Sequence, residues 1–238
     1  MTGEVAGPAV AELEYSVRIG EPAFDHARGV SWWEYFAAHP DAATIHDQMF
    51  VDQSNAIAPL LLETCDLTGI DTVVDVGGGY GGLSLPLLPH FPAMHGVIVD
   101  LPHAAAGAQA QIRAAGLVDR CQFVAGDFFE VVPPGDLYLL KHVLRDWPDD
   151  DAVRLLSRCA DAARAGARLL IVDWLIGPRN EPDPAKLADL FVMLVLRGGR
   201  DRTEEEFRSV LDAANADLDR ITPLPTGQTV LEATFRER

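Results

Sequence analysis

TVVDVGGGYGG, residues 72–82, is a β-branched run that breaks into glycines. β-Branched side chains favour strands, and glycines at a strand end let the backbone turn tightly and approach a ligand. A helical pattern follows at 82–90, so the stretch reads strand, glycine loop, helix. Further apolar runs are GVIVD (96–100), CQFVAGD (121–127), DLYLLKH (136–142) and ARLLIVDWLI (167–176), with helical patterns at 103–116 and 150–164. This alternation predicts a parallel sheet with right-handed crossovers. After Ile176 come a proline-rich loop, a helix near 184–196, and another from Thr203, where RTEEEF has the form of a capping box. TVLEATF (229–235) is expected as the last strand and DLDRI (217–221) as its antiparallel partner.

Upstream of the glycine loop the period is helical. AELEYSVRIG, WWEYFAAHP and IHDQMFVDQSNAIAPLLLETCDL predict helices over 11–70, while residues 1–10, small and carrying Gly and Pro, predict a loose lead-in. The expected organisation is a helical extension at 1–70 and a sheet-bearing domain at 71–238.

The 238 residues suffice for one such domain plus extra helices, and 48% hydrophobic with 23% charged content is ordinary for a globular chain. A net charge of −17 repels phosphate backbones and anionic membranes, so nucleic acid and lipid surfaces are not expected partners. Cys65, Cys121 and Cys159 are odd in number and widely spaced, which gives neither a disulfide framework nor a zinc site. No run has the length of a membrane span, and the N-terminus shows no basic region followed by an apolar one. A reduced, cytoplasmic setting is expected.

Four segments carry candidate chemistry. Asp75-Val76-Gly77-Gly78-Gly79-Tyr80-Gly81-Gly82 satisfies both G-x-G-x-x-G and D-x-G-x-G-x-G, so the loop alone admits a dinucleotide or S-adenosylmethionine. Asp100, ending the next strand, can accept hydrogen bonds from ribose hydroxyls. Asp127, followed by Phe128 and Phe129, can hold an adenine by its amine and its face. LLKHVLRDWPDD, residues 139–150, lies at the ligand-facing edge of the sheet: Lys141 can reach a cofactor, Trp147 can stack on one, and His142 and Asp146 can handle protons.

In this order, DVGGGYGG, VDLPH, GDFF, LLKHVLRDWPDDDA, RLLIVD and GGRDRTEEEF resemble the plant-type and antibiotic-pathway O-methyltransferases that use S-adenosylmethionine. The lead-in GEPAFDHARGVSWWEYFAAHP is most similar to actinobacterial enzymes acting on polyketides, the anthracycline O-methyltransferases among them. The resemblance covers residues 11–238 and implies a class I methyltransferase fold, an α/β doubly wound, mostly parallel sheet built from the seven apolar runs. It implies S-adenosyl-L-methionine as cofactor and S-adenosyl-L-homocysteine as product; no carboxylate cluster in the sequence points to a metal. It places Asp75, Gly77, Gly79, Asp100, Leu101, Asp127, Phe128, Lys141 and Trp147 at cofactor positions.

Two departures stand out. Plant-type members carry a histidine base where this chain has Arg145, steered by two acids at the positions of Asp173 and Asp201. An arginine cannot take the proton. Three readings stay open: Arg145 stabilises a phenolate while methyl transfer proceeds by positioning, as in antibiotic-pathway relatives that also lack the histidine; it is merely an ion-pair partner of Asp173 or Asp201, closing a site whose chemistry is lost or changed; or it holds a substrate anion. His142 is a further candidate base. The family also carries an N-terminal winged-helix-like domain that dimerises and completes the substrate pocket, and this chain begins near its end. The expectation is a catalytic half covered by a separately encoded helical subunit, or a homodimer covering the same apolar faces. The expected activity is methylation of an aromatic or polyketide-type small molecule. The alternative is a cofactor-binding subunit whose methyl chemistry is lost, acting as a scaffold or on a natural product in another way; a nicotinamide-dependent redox enzyme would leave GDFF and RDWPD without a role.

Overall fold

The computed structural model describes residues 2–236. The strands are β1 (Thr72–Val76), β2 (His95–Asp100), β3 (Cys121–Ala125), β4 (Leu137–Lys141), β5 (Arg168–Asp173), β6 (Ala216–Pro223) and β7 (Thr229–Phe235). They form one seven-stranded sheet in the order β3-β2-β1-β4-β5-β7-β6. The first five are parallel, and β7 runs antiparallel to both β5 and β6. DLDRI does pair with TVLEATF, with a register shift between Leu218 and Arg220.

The central strands are apolar throughout because both faces are covered. On β4, Tyr138 and Leu140 face a layer that includes Leu155, Leu156, Phe207 and Leu211, while Leu137 and Leu139 face one that includes Ile57, Leu61, Leu87 and Ile112. The first layer comes from α9 (Asp149–Ala162) and α11 (Glu204–Ala213); the second from α6 (Pro40–Thr64), α7 (Ser84–Leu87) and α8 (Ala105–Ala114). α11 opens on the expected capping box: Thr203 Oγ1 accepts from Glu206 N at 3.3 Å, and Glu206 Oε2 accepts from Thr203 N at 2.8 Å.

Ahead of the sheet lie α1 (Thr2–Val5), α2 (Gly7–Ala11), α3 (Leu13–Ile19), α4 (Ala23–Arg28) and α5 (Trp32–Ala38). Residues 2–5 and 7–11 are therefore helical, not the loose lead-in expected for residues 1–10, of which Met1 lies outside the described residues. Pro8 falls in the first turn of α2, where its missing N–H costs nothing. Val5, Ala6 and Ala9 are buried in a third apolar cluster with Phe24, Trp32 and Phe36. That cluster is completed by Val192, Leu194 and Val195 of α10 (Pro184–Val195), which follows β5 in the chain yet packs on α2, α3 and α4. The apolar faces of the N-terminal helices are thus partly covered from within; Val10, Val17, Ile19 and Ile45 remain exposed.

The sheet order reverses between β1 and β4, where chain connections leave the carboxyl ends in opposite directions. In open α/β sheets ligands bind in the crevice at that point.

Candidate active site

The glycine loop leaves β1 at this crevice. Gly77 N and Gly78 N donate to Val99 O at 2.8 and 3.3 Å, tying the loop to β2. Gly79 adopts φ 54° with open space on its Cβ side, the room a ligand needs to lie against the backbone. A Cβ on Gly82 would stand 2.8 Å from Val51 Cα, so α6 can approach the loop this closely only over a glycine.

Three carboxylates brace the crevice. Asp75 is buried and accepts from Ser84 N at 3.3 Å; burial pushes its pKa up to about 6. Asp100 accepts from Gly79 N and from its neighbour Leu101 N, both at 2.7 Å, and burial raises its pKa against those hydrogen bonds. Asp127 accepts from Phe129 N at 2.8 Å, which turns the chain at the end of β3. Phe128, Phe129 and Trp147 meet edge to face, with Trp147 4.7 Å from Phe129 and 6.0 Å from Phe128. Lys141 ends β4 with its ammonium 4.9 Å from the centre of the Phe50 ring; burial lowers its pKa to about 8.

These groups surround one cavity of 310 Å³, at the lower end of the ~300–1,000 Å³ typical of small-molecule sites. Asp75, Gly77, Gly79, Asp100, Leu101, Asp127, Phe128, Lys141 and Trp147 all line it. So do His142 and Asp146. The opposite wall is helical: Trp33 of α5 and His46, Asp47 and Phe50 of α6. Sequence reasoning missed that wall. Its signal was the i, i+4 spacing of His46, Phe50 and Ser54, which puts them on one helix face.

The loop after β4 divides its polar side chains between the cavity and the interior. His142 holds a left-handed backbone, φ 54°, with its N–H on Val172 O at 3.0 Å. Its ring is buried, Nε2 has no hydrogen-bond partner, and burial next to Lys141 and Arg145 holds its pKa well below the usual histidine range. Asp146 also lines the cavity, and its carboxyl makes no hydrogen bond or ion pair among the described residues. Burial, with Asp173 and Asp201 nearby, raises its pKa well above the usual carboxylate range even though Arg145 opposes the shift.

Arg145 is absent from the cavity wall, and so are Asp173 and Asp201. The Arg145 guanidinium lies beneath it: Nη2 donates to Asp201 Oδ2 at 2.7 Å and to Ala188 O at 3.2 Å, and Nε is 3.9 Å from Asp173 Oδ1. Asp173 also accepts from Trp174 N at 3.0 Å. Two buried acids share one guanidinium; burial raises both against its pull, and Asp173 adds to the shift of Asp201, to about 8. Of the three readings of Arg145, the geometry is that of the ion-pair partner.

A residue the sequence did not single out fixes this loop. Arg202 is fully buried and donates from Nη1 to Leu144 O at 2.7 Å, from Nη2 to Trp147 O at 2.9 Å and from Nε to Asp149 Oδ1 at 2.9 Å. One planar fork thereby clamps both ends of the turn that carries Arg145 and Asp146. Among the described residues no group of three or more His, Cys, Asp or Glu side chains is placed to hold a metal ion.

The model of the O-methyltransferase domain family matches residues 10–215. The chain belongs to that family. Among curated relatives, the mitomycin biosynthesis 6-O-methyltransferase of Streptomyces lavendulae is 39% identical over 91% of this chain and 62% of its own length. The phenazine O-methyltransferase of Lysobacter antibioticus is 36% identical over 98% of this chain and 68% of its own. The chain thus spans roughly two thirds of the length of these family members. Among solved structures, LaPhzM superposes with a TM-score of 0.92 at 35% identity, over 99% of this chain and 71% of that one. The mitomycin 7-O-methyltransferase MmcR gives 0.91 at 36% identity, over 98% and 69%. The neocarzinostatin-pathway O-methyltransferase NcsB1, solved with S-adenosylmethionine and a hydroxynaphthoic acid, gives 0.87 at 30% identity, over 96% and 68%. The family's fold is the one seen here.

Proposed function

We propose that this chain is the catalytic portion of an S-adenosylmethionine-dependent O-methyltransferase acting on an aromatic or polyketide-type natural product. The observation that carries the reading is the convergence of the β1, β2, β3 and β4 carboxyl ends on one cavity. The residues present fit the cofactor: Gly79 leaves its backbone open to a ligand, and Asp100 has carboxylate lone pairs beyond those facing Gly79 and Leu101 for ribose hydroxyls. Asp127 and Phe128 suit an adenine, with Lys141 and Trp147 beside it, and Asp75 supports the glycine loop from below. A nicotinamide reading gives the Asp127 and Trp147 segments no part. The relatives named above are methyltransferases, which sets aside the reading as a subunit without methyl chemistry.

Bound S-adenosylmethionine supplies a methyl group already activated on a sulfonium, so the protein's task is chiefly to hold an acceptor oxygen in line with it. Trp33, Phe50 and Phe128 give flat apolar walls for an aromatic ring. His142, kept neutral, can accept a hydrogen bond from the acceptor hydroxyl at Nε2 in its Nδ1-protonated tautomer. Arg145, Asp173 and Asp201 act beneath the wall as a charge network that positions the loop, helped by Arg202.

The site works in the cytoplasm, in keeping with three free, buried cysteines and with no described helix long and apolar enough to cross a membrane. A second copy, or a separately encoded helical subunit, covers the exposed Val10, Val17 and Ile19; a stable lone monomer by native mass would refute that. Calorimetry with S-adenosylmethionine and S-adenosylhomocysteine, on the chain alone and with a co-expressed partner, tests the cofactor reading. Micromolar binding is expected, and no binding in either setting would refute it.

A further inference from the structure

The cavity carries more acid than a cofactor site of this kind uses. Asp75, Asp100 and Asp127 have the parts given above, which leaves Asp47 and Asp146. Asp47 Oδ1 lies 3.2 Å from His46 Nδ1 and the Tyr80 hydroxyl faces the same carboxylate, whose Oδ2 is buried without a partner of hydrogen-bond geometry. Asp146 makes no side-chain hydrogen bond among the described residues, though Arg145 favours its charge, and the buried His142 Nε2 is an unpartnered polar atom at the same wall. A buried acceptor left without a donor is costly, and a ligand that donates to it removes the cost.

Against these acids the wall has one lysine, Lys141, and that ammonium already lies over the Phe50 ring, with Asp75 and Asp173 favouring its charge. Arg145, the guanidinium the sequence puts next to Asp146, is turned below the wall and occupied by Asp201 and Ala188 O. A carboxylate entering here would shed its water facing these acids. An ammonium would meet carboxyls together with the aromatic rings of Trp33 and Phe50, the second already attracting the Lys141 ammonium. Burial and the nearby acids hold the Asp146 pKa above the usual carboxylate range even beside Arg145, and an arriving ammonium favours its charged form. The overall charge of −17 adds a field of the same sign.

We propose that the acceptor is a phenol bearing an amine, its ammonium held by Asp47 and Asp146, and that the cavity rejects aryl carboxylates. This rests on the methyltransferase reading and narrows its substrate class. NcsB1, whose ligand is a naphthoic acid, would then differ from this chain in acceptor charge within one fold.

The test is a matched pair of probes, tyramine and para-hydroxyphenylacetate, which share a phenol and differ in the sign of the side chain. Each is titrated calorimetrically into protein saturated with S-adenosylhomocysteine. Tyramine is expected to bind about tenfold or more tighter, the scale of one partly screened charge contact. Asp146→Asn and Asp47→Asn should each shrink that preference several-fold, and the double variant should abolish it. Equal or tighter binding of para-hydroxyphenylacetate overturns the inference, as does failure of both probes to bind, or an undiminished preference in the double variant. If S-adenosylhomocysteine itself does not bind, the methyltransferase reading falls and takes the inference with it; binding of S-adenosylhomocysteine with a carboxylate preference removes the inference alone.

Discussion

Replacing Arg145 by methionine tests the buried charge network directly. The substitution keeps an aliphatic stem and removes the guanidinium that holds Asp201 at 2.7 Å. Asp173 and Asp201 are then buried with no arginine between them, so a carboxylate that the guanidinium had neutralised must take up a proton or be left bare. Neutralisation is the cheaper route. From an ordinary carboxyl value of 3.8, protonating it at pH 7 costs about 4.4 kcal/mol, at 1.36 kcal/mol per pH unit. At pH 5 the same step costs only about 1.6 kcal/mol. The sign follows from linkage: the variant's folded state binds one proton more than the parent's, while both unfolded states are alike, so the variant's deficit grows as pH rises above 4. Urea unfolding of parent and variant at pH 5 and pH 7 reads the difference. The expected penalty is about 3–4 kcal/mol at pH 7 and about half that or less at pH 5. A penalty that is the same at both pH values, or below about 1 kcal/mol at pH 7, would show that Arg145 does not neutralise these acids.

Other consequences are as specific. Gly82→Ala drives a Cβ to within 2.8 Å of the α6 backbone, which cannot yield as a side-chain tip would; about 1–3 kcal/mol of stability should be lost, and S-adenosylhomocysteine affinity should fall, read by denaturation and calorimetry. Arg202→Met leaves Leu144 O, Trp147 O and Asp149 without their shared donor, so amide exchange over residues 143–149 should accelerate well beyond that of the β-sheet. Asp75 has a folded-state pKa of about 6, above its unfolded value, so its ionisation weakens the folded state as pH rises from 4 to 6; a cation in the cavity opposes that. Affinity for S-adenosylmethionine, which carries a sulfonium, should therefore fall several-fold between pH 7.5 and pH 5.5, and calorimetry showing unchanged affinity would refute the coupling.

What the sequence disclosed depends on where the information lies along the chain. The glycine loop, Asp100 and the Asp127–Phe129 turn could be read because each is local: a strand end, a φ requirement or an acid at a fixed offset imposes residue types on neighbours. The antiparallel β6–β7 pair and the Thr203 cap were legible for the same reason. The wall formed by His46, Asp47 and Phe50 was not, because nothing within α6 says which of its faces meets the glycine loop; Gly82 settles that from a distant part of the chain. The burial of Val5 and Ala9 depends on α10, nearly two hundred residues downstream. For Arg145 the sequence left three roles open, since its neighbours do not say whether the side chain turns up into the cavity or down toward Asp201. Arg202, wedged under the loop, carries no motif of its own.

α6 runs unbroken from Pro40 to Thr64, through the proline at position 59. Its early turns carry His46, Asp47 and Phe50; its later turns anchor Ile57 and Leu61 in the sheet's core. The helical wall of the site is thus mounted on a long spoke whose hub is the core of the sheet. Exchanging side chains along the outer turns changes what the cavity welcomes without retuning the hub, which makes positions 46, 47 and 50 the natural place to redirect this scaffold toward a new aromatic acceptor.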